Sequence, residues 1–432
     1  MSIIFRYTFI HSILIDRDEK MANKNKIKVA VAMSGGVDSS VAAAMMVEKY
    51  GKENVFGVTL KLFCYGEALT GGKSCCSLEA IDDAKAVCQK LGIPHYVLNV
   101  EKEFEEKVVK NFIDEYLAGR TPNPCIRCNK FIKFDWLLKK VKGMGVDYLA
   151  TGHYARIAQS PQVYSSSKRS ESRSKLKKFS IKSNDKTFKL LKGIDGKKDQ
   201  SYFLHDVTQD QLKHLLFPLG EYRKEQVRKM AKDLGLKVFD KIESQEVCFI
   251  DTNYHEFLAR IVTNKVKDGH IVDLRGNVIG EHNGLPFYTI GQRKGLGDVS
   301  YKREETANNT LNTAKKPLYV IDIKPEENTL VVGEEKDLYS KELFTKNIHW
   351  ISEEEPLRLR SWQAKLSLKC KAKIRYLAKE EECGVRKQEA GSRKQLYRVN
   401  FVVPQRAITS GQSIVFYLGD ECLGGGVIES RK

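Results

Sequence analysis

The 432-residue chain has no apolar run long enough to cross a bilayer, no signal-peptide pattern and no complete G-x-x-x-x-G-K-S/T phosphate loop. The first absence excludes a helical membrane protein. The apolar stretch within Met1 to Lys20 is interrupted by Arg6 and His11, and it lacks both the charged start and the small-residue cleavage site of a signal peptide. Residues 1–20 are therefore expected to be an extension without catalytic role, with Met21 a plausible start just ahead of the first strand. The ten cysteines are scattered along the chain without a secretory pattern, which argues against a disulfide scaffold and for the reducing cytoplasm. Acidic residues are also short: 55 against 73 Lys and Arg give a net charge of +18. That excess points to a polyanionic partner, although a solvated lysine-rich surface would give the same number.

What is present begins with Val29–Met33 (VAVAM), a short β-branched run that predicts a buried parallel strand. Ser34–Ser40 (SGGVDSS) follows and leads into Val41–Val47, which predicts a helix. Strand, glycine turn and helix N-terminus make an anion site, because unpaired N–H groups and the helix dipole favour phosphate. The missing Gly-Lys-Ser/Thr ending excludes a Walker-type loop. SGGVDSS instead resembles the pyrophosphate-binding loop of the PP-loop ATPases, which implies cleavage of ATP to AMP and pyrophosphate.

Strands predicted at Asn54–Leu60, His95–Val100 and Val146–Ala150 alternate with helices at Leu78–Leu91, Glu103–Leu117 and Phe134–Val141. This alternation predicts an α/β fold with a doubly wound parallel sheet and ligands at the carboxyl ends of its strands. Pattern is lost in a basic Ser/Lys/Arg segment at about 159–186, expected to be a disordered or loosely ordered insertion. Lys302–Lys316 and Lys379–Lys394 read as similar polar insertions. From about Gly269 short alternating runs, such as His270–Leu274, Leu318–Ile323, Thr329–Val332 and Ser413–Leu418, predict one or two small β domains. The expected division is an extension at 1–20, a PP-loop catalytic domain at 21–252, a small central domain at 253–330 and a C-terminal β-barrel at 331–432.

Two prolines flank Asn123 in GRTPNPCIRCN (119–129), forcing a rigid extended turn just before Cys128. Arg127 beside it would favour the thiolate over the free value of about 8.5. Cys125 and Cys128 form a C-x-x-C pair, but a zinc site needs a second pair and Cys75–Cys76 supplies only a doublet, so no metal site is expected. In Ala150–Ala155 (ATGHYA), Gly152 would let a nucleotide lie close and His153 could bond a phosphate or base; a strand-end turn with a packed histidine explains the same residues. Gly196–Phe203 is a polar turn that could bind nucleic acid or only connect elements. Cys248, between Val247 and Phe249, reads by itself as a buried structural cysteine.

Taken in order, AMSGGVDSS, GRTPNPCIRCNKFIKF, ATGHYAR, LLKGIDGKKDQSYFL, CFI, TIGQRKGLG, SGQSIVFY and CLGGGVI span residues 27–430 and resemble the bacterial tRNA-specific 2-thiouridylases. The resemblance implies an adenine nucleotide α-hydrolase-like PP-loop domain, a small central domain and a C-terminal β-barrel. It implies an ATP- and Mg²⁺-dependent sulfurtransferase that adenylates the C2 oxygen of the wobble uridine in tRNAs for Lys, Glu and Gln, and replaces it with sulfur. Cys128 would be the nucleophile and Cys248 the persulfide carrier, the pair ending as a disulfide. A sulfur-relay donor protein and a cellular reductant are implied partners, with no membrane. ATP contacts would come from Ala32, Met33, Ser34, Gly35, Gly36, Val37, Asp38, Ser39, Leu60 and Gly152. Asn123, Pro124 and Cys125 would lie against the target base. His153, Lys198, Asp199, Gln200, Arg375, Tyr376 and Gln412 would contact tRNA. Cys125 stands where many relatives have Asp, so no acid–base role is assigned to it. Asp38 would organise Mg²⁺ or pyrophosphate. Another PP-loop adenylating ligase would leave both cysteines without a role, and a binding protein with a vestigial loop would not need its intact Ser, Gly and Asp set.

Overall fold

The computed structural model describes residues 27–62, 78–159, 187–241, 247–250, 254–262, 266–296, 317–352, 368–388 and 395–431. The N-terminal extension, the basic insertion from 160 onward, the Cys75–Cys76 doublet and Lys302–Lys316 lie outside the described residues.

β1 (Val29–Ala32), β2 (Val55–Lys61), β3 (His95–Asn99), β4 (Tyr148–Ala150) and the two-residue β7 (Leu215–Leu216) form a parallel sheet in the order β3-β2-β1-β4-β7. Between β4 and β7 in the chain comes the hairpin of β5 (Ala155–Gln159) and β6 (Phe188–Lys192). β1 is fully flanked: Val29 faces Val55 on one side and Tyr148 on the other. Its apolar run is continuous because both faces are covered. Helix α1 (Val37–Tyr50) leaves the end of β1 and packs on α2 (Leu78–Leu91) and α3 (Lys224–Asp233) through Val41, Ala84, Val227 and Ala231. The chain departs from β1 toward β2 and later returns on the opposite side as β4. The switch point, where doubly wound sheets hold ligands, is thus the carboxyl end of β1.

Three strands and one further strand make the middle sheet, β8 (Gly269–Val272), β9 (Val278–His282), β10 (Tyr319–Lys324) and β11 (Thr329–Gly333), ordered β10-β11-β8-β9. The last third is a closed antiparallel barrel of β12 (Tyr339–Trp350), β13 (Leu368–Lys373), β14 (Glu381–Lys387), β15 (Leu396–Arg406), β16 (Ser413–Leu418) and β17 (Glu421–Arg431). Pairing of β12 with both β15 and β17 closes the ring. The β5–β6 hairpin extends this sheet by pairing Leu190 and Leu191 with β17, so the barrel is joined through strand pairing to the half that carries the parallel sheet.

One expectation fails here. Most of the described part of Lys379–Lys394 is strand β14, not an insertion. Cys383 and Val385 point into the barrel core while Glu382 and Arg386 face out; the density of charge around them hid the period-two pattern. Ring closure also needs a glycine. Gly424 has φ +137°, and a Cβ there would lie 2.0 Å from the His349 carbonyl oxygen on β12. Gly424→Ala should therefore destabilise the protein by about 2 kcal/mol or more, read as a lowered midpoint in urea unfolding; an unchanged midpoint would contradict this packing.

Candidate active site

The loop after β1 is held by its own serines. Ser39 Oγ accepts from the Ser34 amide at 3.2 Å and donates to the Gly36 carbonyl at 3.1 Å, while Ser40 Oγ donates to the same carbonyl at 2.8 Å. Gly35 has φ +69° and lies so close to α2 that a Cβ would meet the Ala80 carbonyl oxygen at 2.3 Å. From β4, Gly152 lies against the loop: a Cβ there would come within 2.8 Å of the Asp38 carbonyl carbon and the Ser39 nitrogen. Glycines at both positions thus leave backbone against backbone around the α1 N-terminus, which suits a phosphate chain. Met33 is buried, with its amide bonded to the Val58 carbonyl, and Leu60 is half-buried between two apolar clusters.

Asp38, in the first turn of α1, is held by two groups that motif reading did not single out. Lys224 Nζ lies 2.8 Å from both carboxylate oxygens, and the Tyr154 hydroxyl donates to one of them at 2.7 Å. Sequence offers little signal for Lys224, which is one lysine among many in a basic helix.

The second element is the helical segment after the Pro-Asn-Pro turn. Asn123 caps it, Oδ1 accepting from the Ile126 amide, and Pro124 occupies the first turn, where a missing N–H costs nothing. From Cys128 to Leu137 the helix widens to π geometry, a form frequent at functional sites. Cys125 is exposed. Cys128 is buried in a cluster with Leu62, Val100, Phe104, Ile132 and Phe249, and Cys248 packs half-buried against that same cluster. Phe249 anchors the Cys248 segment through edge contacts with Phe104 and Phe112, at 5.8 and 5.2 Å between centroids. Leu62 and Val100 directly follow β2 and β3. The cysteine cluster therefore caps the same carboxyl edge that carries the Ser34–Ser40 loop. Arg127, expected to bias the Cys128 thiol, sends Nε to the Lys107 carbonyl and stacks on Phe131 at 4.8 Å.

The remaining sequence-predicted positions are largely structural in this conformation. His153 is buried between Phe134 and Phe217 with Nδ1 on Thr151 Oγ1 at 2.6 Å. Asp199 is buried and accepts from the Gly193 and Ser201 amides; Gln200 accepts from the Tyr154 amide. Lys198 is half-exposed on the same turn. Gln412 donates to the Thr121 and Pro122 carbonyls, tying the barrel to the Pro-Asn-Pro turn. Arg375 bonds the Arg406 carbonyl, and Tyr376 lies 4.4 Å from the Phe203 ring. Between that turn and the barrel is a cavity of about 320 Å³ lined by Asn123, Arg127, Lys130, Asp206 and Gly425. His205 also faces it; the side chain is 2% exposed and neither ring nitrogen has a hydrogen-bond partner among the described residues.

Burial holds the imidazoles of His153 and His205 below the ordinary value of 6.5. The unfolded chain then binds more protons than the folded one once pH falls below that value. Stability should be level between about pH 7 and 8 and drop as pH falls through about 6.5 toward 5. Replacing His205→Phe should flatten that drop in melting temperature; an identical slope would contradict a buried neutral imidazole.

The descriptions of three family models fit consecutive parts of the chain. They are a tRNA methyl transferase HUP domain at 27–252, a tRNA methyl transferase PRC-barrel domain at 255–334 and an aminomethyltransferase β-barrel domain at 340–428. Among curated relatives, the tRNA-specific 2-thiouridylase MnmA 1 of Caldanaerobacter subterraneus is 47% identical over 407 residues, covering 94% of this chain and 98% of its own. The MnmA enzymes of Acetivibrio thermocellus and Clostridium perfringens are 45% and 43% identical, each over 94% of this chain and 100% and 99% of their own. Loop, cysteine cluster and closed barrel agree with a likeness that covers 94% of the chain: the chain belongs to the tRNA-specific 2-thiouridylase family.

Proposed function

We propose that this protein is an ATP- and Mg²⁺-dependent tRNA-uridine 2-sulfurtransferase of the cytoplasm, converting the wobble uridine of tRNAs for Lys, Glu and Gln to 2-thiouridine. The observation that carries the reading is that Cys128 and Cys248, distant in sequence, share one apolar cluster at the carboxyl edge of the sheet bearing the phosphate loop. Among the described residues no helix is long and apolar enough to cross a membrane.

ATP, when bound, supplies the adenylyl group that turns the uridine C2 oxygen into a leaving group. The residues fit such a ligand, since Gly35 and Gly152 keep side chains out of the space around the α1 N-terminus and its amides face the phosphates. Ala32, Met33, Ser34, Gly36, Val37 and Ser39 would complete that wall, Leu60 would border it, and Asp38, once its Lys224 partner moves, would be the carboxylate that holds Mg²⁺. Cys248 carries the transferable sulfur as a persulfide received from a donor protein. The Cys128 thiolate attacks Sγ of Cys248, breaking the sulfur–sulfur bond and releasing the outer sulfur as hydrosulfide, which adds at C2 as AMP leaves. A Cys128–Cys248 disulfide remains, and a thiol reductant returns two electrons to reopen it. The apolar wall of Phe104, Ile132 and Phe249 keeps water from competing.

The target base has to leave its stack to be reached, and Asn123, Pro124 and Cys125 are the surface assigned to it. Lys198 would contact the tRNA backbone, with affinity falling as salt rises. Asp199, Gln200, His153, Arg375, Tyr376 and Gln412 support binding by fixing the turns around that surface, as their internal hydrogen bonds and ring contacts indicate.

Cys128→Ser and Cys248→Ser should each lower 2-thiouridine formation by about 100-fold or more while leaving tRNA-dependent pyrophosphate release in place. The assay is nucleoside mass analysis after incubation with ATP, Mg²⁺, a donor of persulfide-level (sulfane) sulfur and unmodified tRNA. Full thiolation by either variant would defeat the two-cysteine route, and pyrophosphate release by the wild type with no thiouridine would defeat the assignment.

A further inference from the structure

A buried cation sits at the phosphate loop, and the reaction as described gives it no part. Lys224 opens α3, and its side chain is only 10% exposed. Its amide donates to Asp195 Oδ2 at 3.0 Å, and its ammonium lies 2.8 Å from both oxygens of Asp38 and 5.8 Å from the centre of the Tyr154 ring. Packing of Val227 and Ala231 against α1 fixes the helix that delivers it.

Stability alone does not account for this arrangement. Asp38 already lies in the first turn of a 14-residue helix, where the dipole favours a carboxylate, and it already accepts from the Tyr154 hydroxyl. Desolvating a second charge to meet it is commonly no gain over apolar packing. Lysine is the cation suited to changing partners: a compact charge on a flexible stem with three donors, able to serve a carboxylate or a phosphate oxygen. Gly152 meanwhile holds β4 tight against Asp38 and Ser39, so the anionic end of a ligand on the α1 amides would lie beside this ammonium.

We propose that Lys224 is a phosphate-binding residue of the loop: Asp38 holds its ammonium until nucleotide arrives, and the ammonium then moves to the phosphate chain while the Tyr154 hydroxyl stays on Asp38. This rests on the reading of the loop as an ATP site. It adds a cation to a loop whose own residues, Ser34 to Ser40, include none, and it releases the Asp38 carboxylate at the moment a divalent ion accompanies the nucleotide.

The test is calorimetric binding of inorganic pyrophosphate and of a non-hydrolysable ATP analogue to the full chain, compared among wild type, K224Q, D38N and D38N/K224Q. K224Q should weaken pyrophosphate binding at least tenfold. D38N/K224Q should stay at least fivefold weaker than D38N, because the missing contact is to phosphate and not only to Asp38. If the double variant binds as tightly as D38N, or K224Q as tightly as wild type, Lys224 is a counter-ion and the proposal is wrong. Should K224Q fail to fold, the comparison of D38N/K224Q with D38N carries the test. A wild type that binds neither ligand overturns the ATP reading itself, a result distinct from both.

Discussion

Strand β1 stops at Ala32 with β2 on one side and β4 on the other, and because all three run parallel, the segments following them emerge at one edge. That single edge receives the serine–glycine loop from β1, Leu62 from β2, Val100 from β3 and Gly152 from β4. The glycine loop at the α1 N-terminus and the cluster holding Cys128 and Cys248 are thereby placed on a common rim. If the sheet order were changed by one strand, neither the Gly152 contact on Asp38 nor the cluster around Cys128 could form.

The barrel acts on this rim from outside. Its ring is closed by the β12–β17 pairing, and it is tied to the parallel-sheet half at several places. The Tyr202 hydroxyl donates to the Ser413 carbonyl, Gln209 to the Ile351 carbonyl, and Gln412 to the two carbonyls just ahead of Asn123. The turn that starts the Cys128 helix is therefore positioned by the barrel as much as by its own prolines. Residues that looked like nucleic-acid contacts along the chain turn out to include the bolts of this junction.

Periodicity made the parallel sheet and α1 legible, because strands buried on both faces leave unbroken apolar runs, and the serines and Asp around the Gly-Gly turn marked it as more than a tight connection. Strand β14 was not legible: its core contribution is Cys383 and Val385 alone, submerged in charge. Lys224 was invisible for the opposite reason, since burial of one lysine in a lysine-rich helix is a tertiary fact. Cys248 carried no functional signal by itself; its place beside the Cys128 cluster depends on Phe249 reaching Phe104 and Phe112 across the fold. His153 shows the reverse case, a motif residue whose side chain the structure uses for packing.

The account stands on Cys128 and Cys248 being close enough to exchange sulfur within one cluster. Mild oxidation of the purified protein with a thiol-specific oxidant, followed by peptide mass mapping without reduction, tests this directly. The predicted result is a dominant Cys128–Cys248 cross-link, formed within one chain and absent from either serine variant. Dominant pairing of Cys128 with Cys125 or another cysteine, with Cys248 left alkylatable, would contradict it.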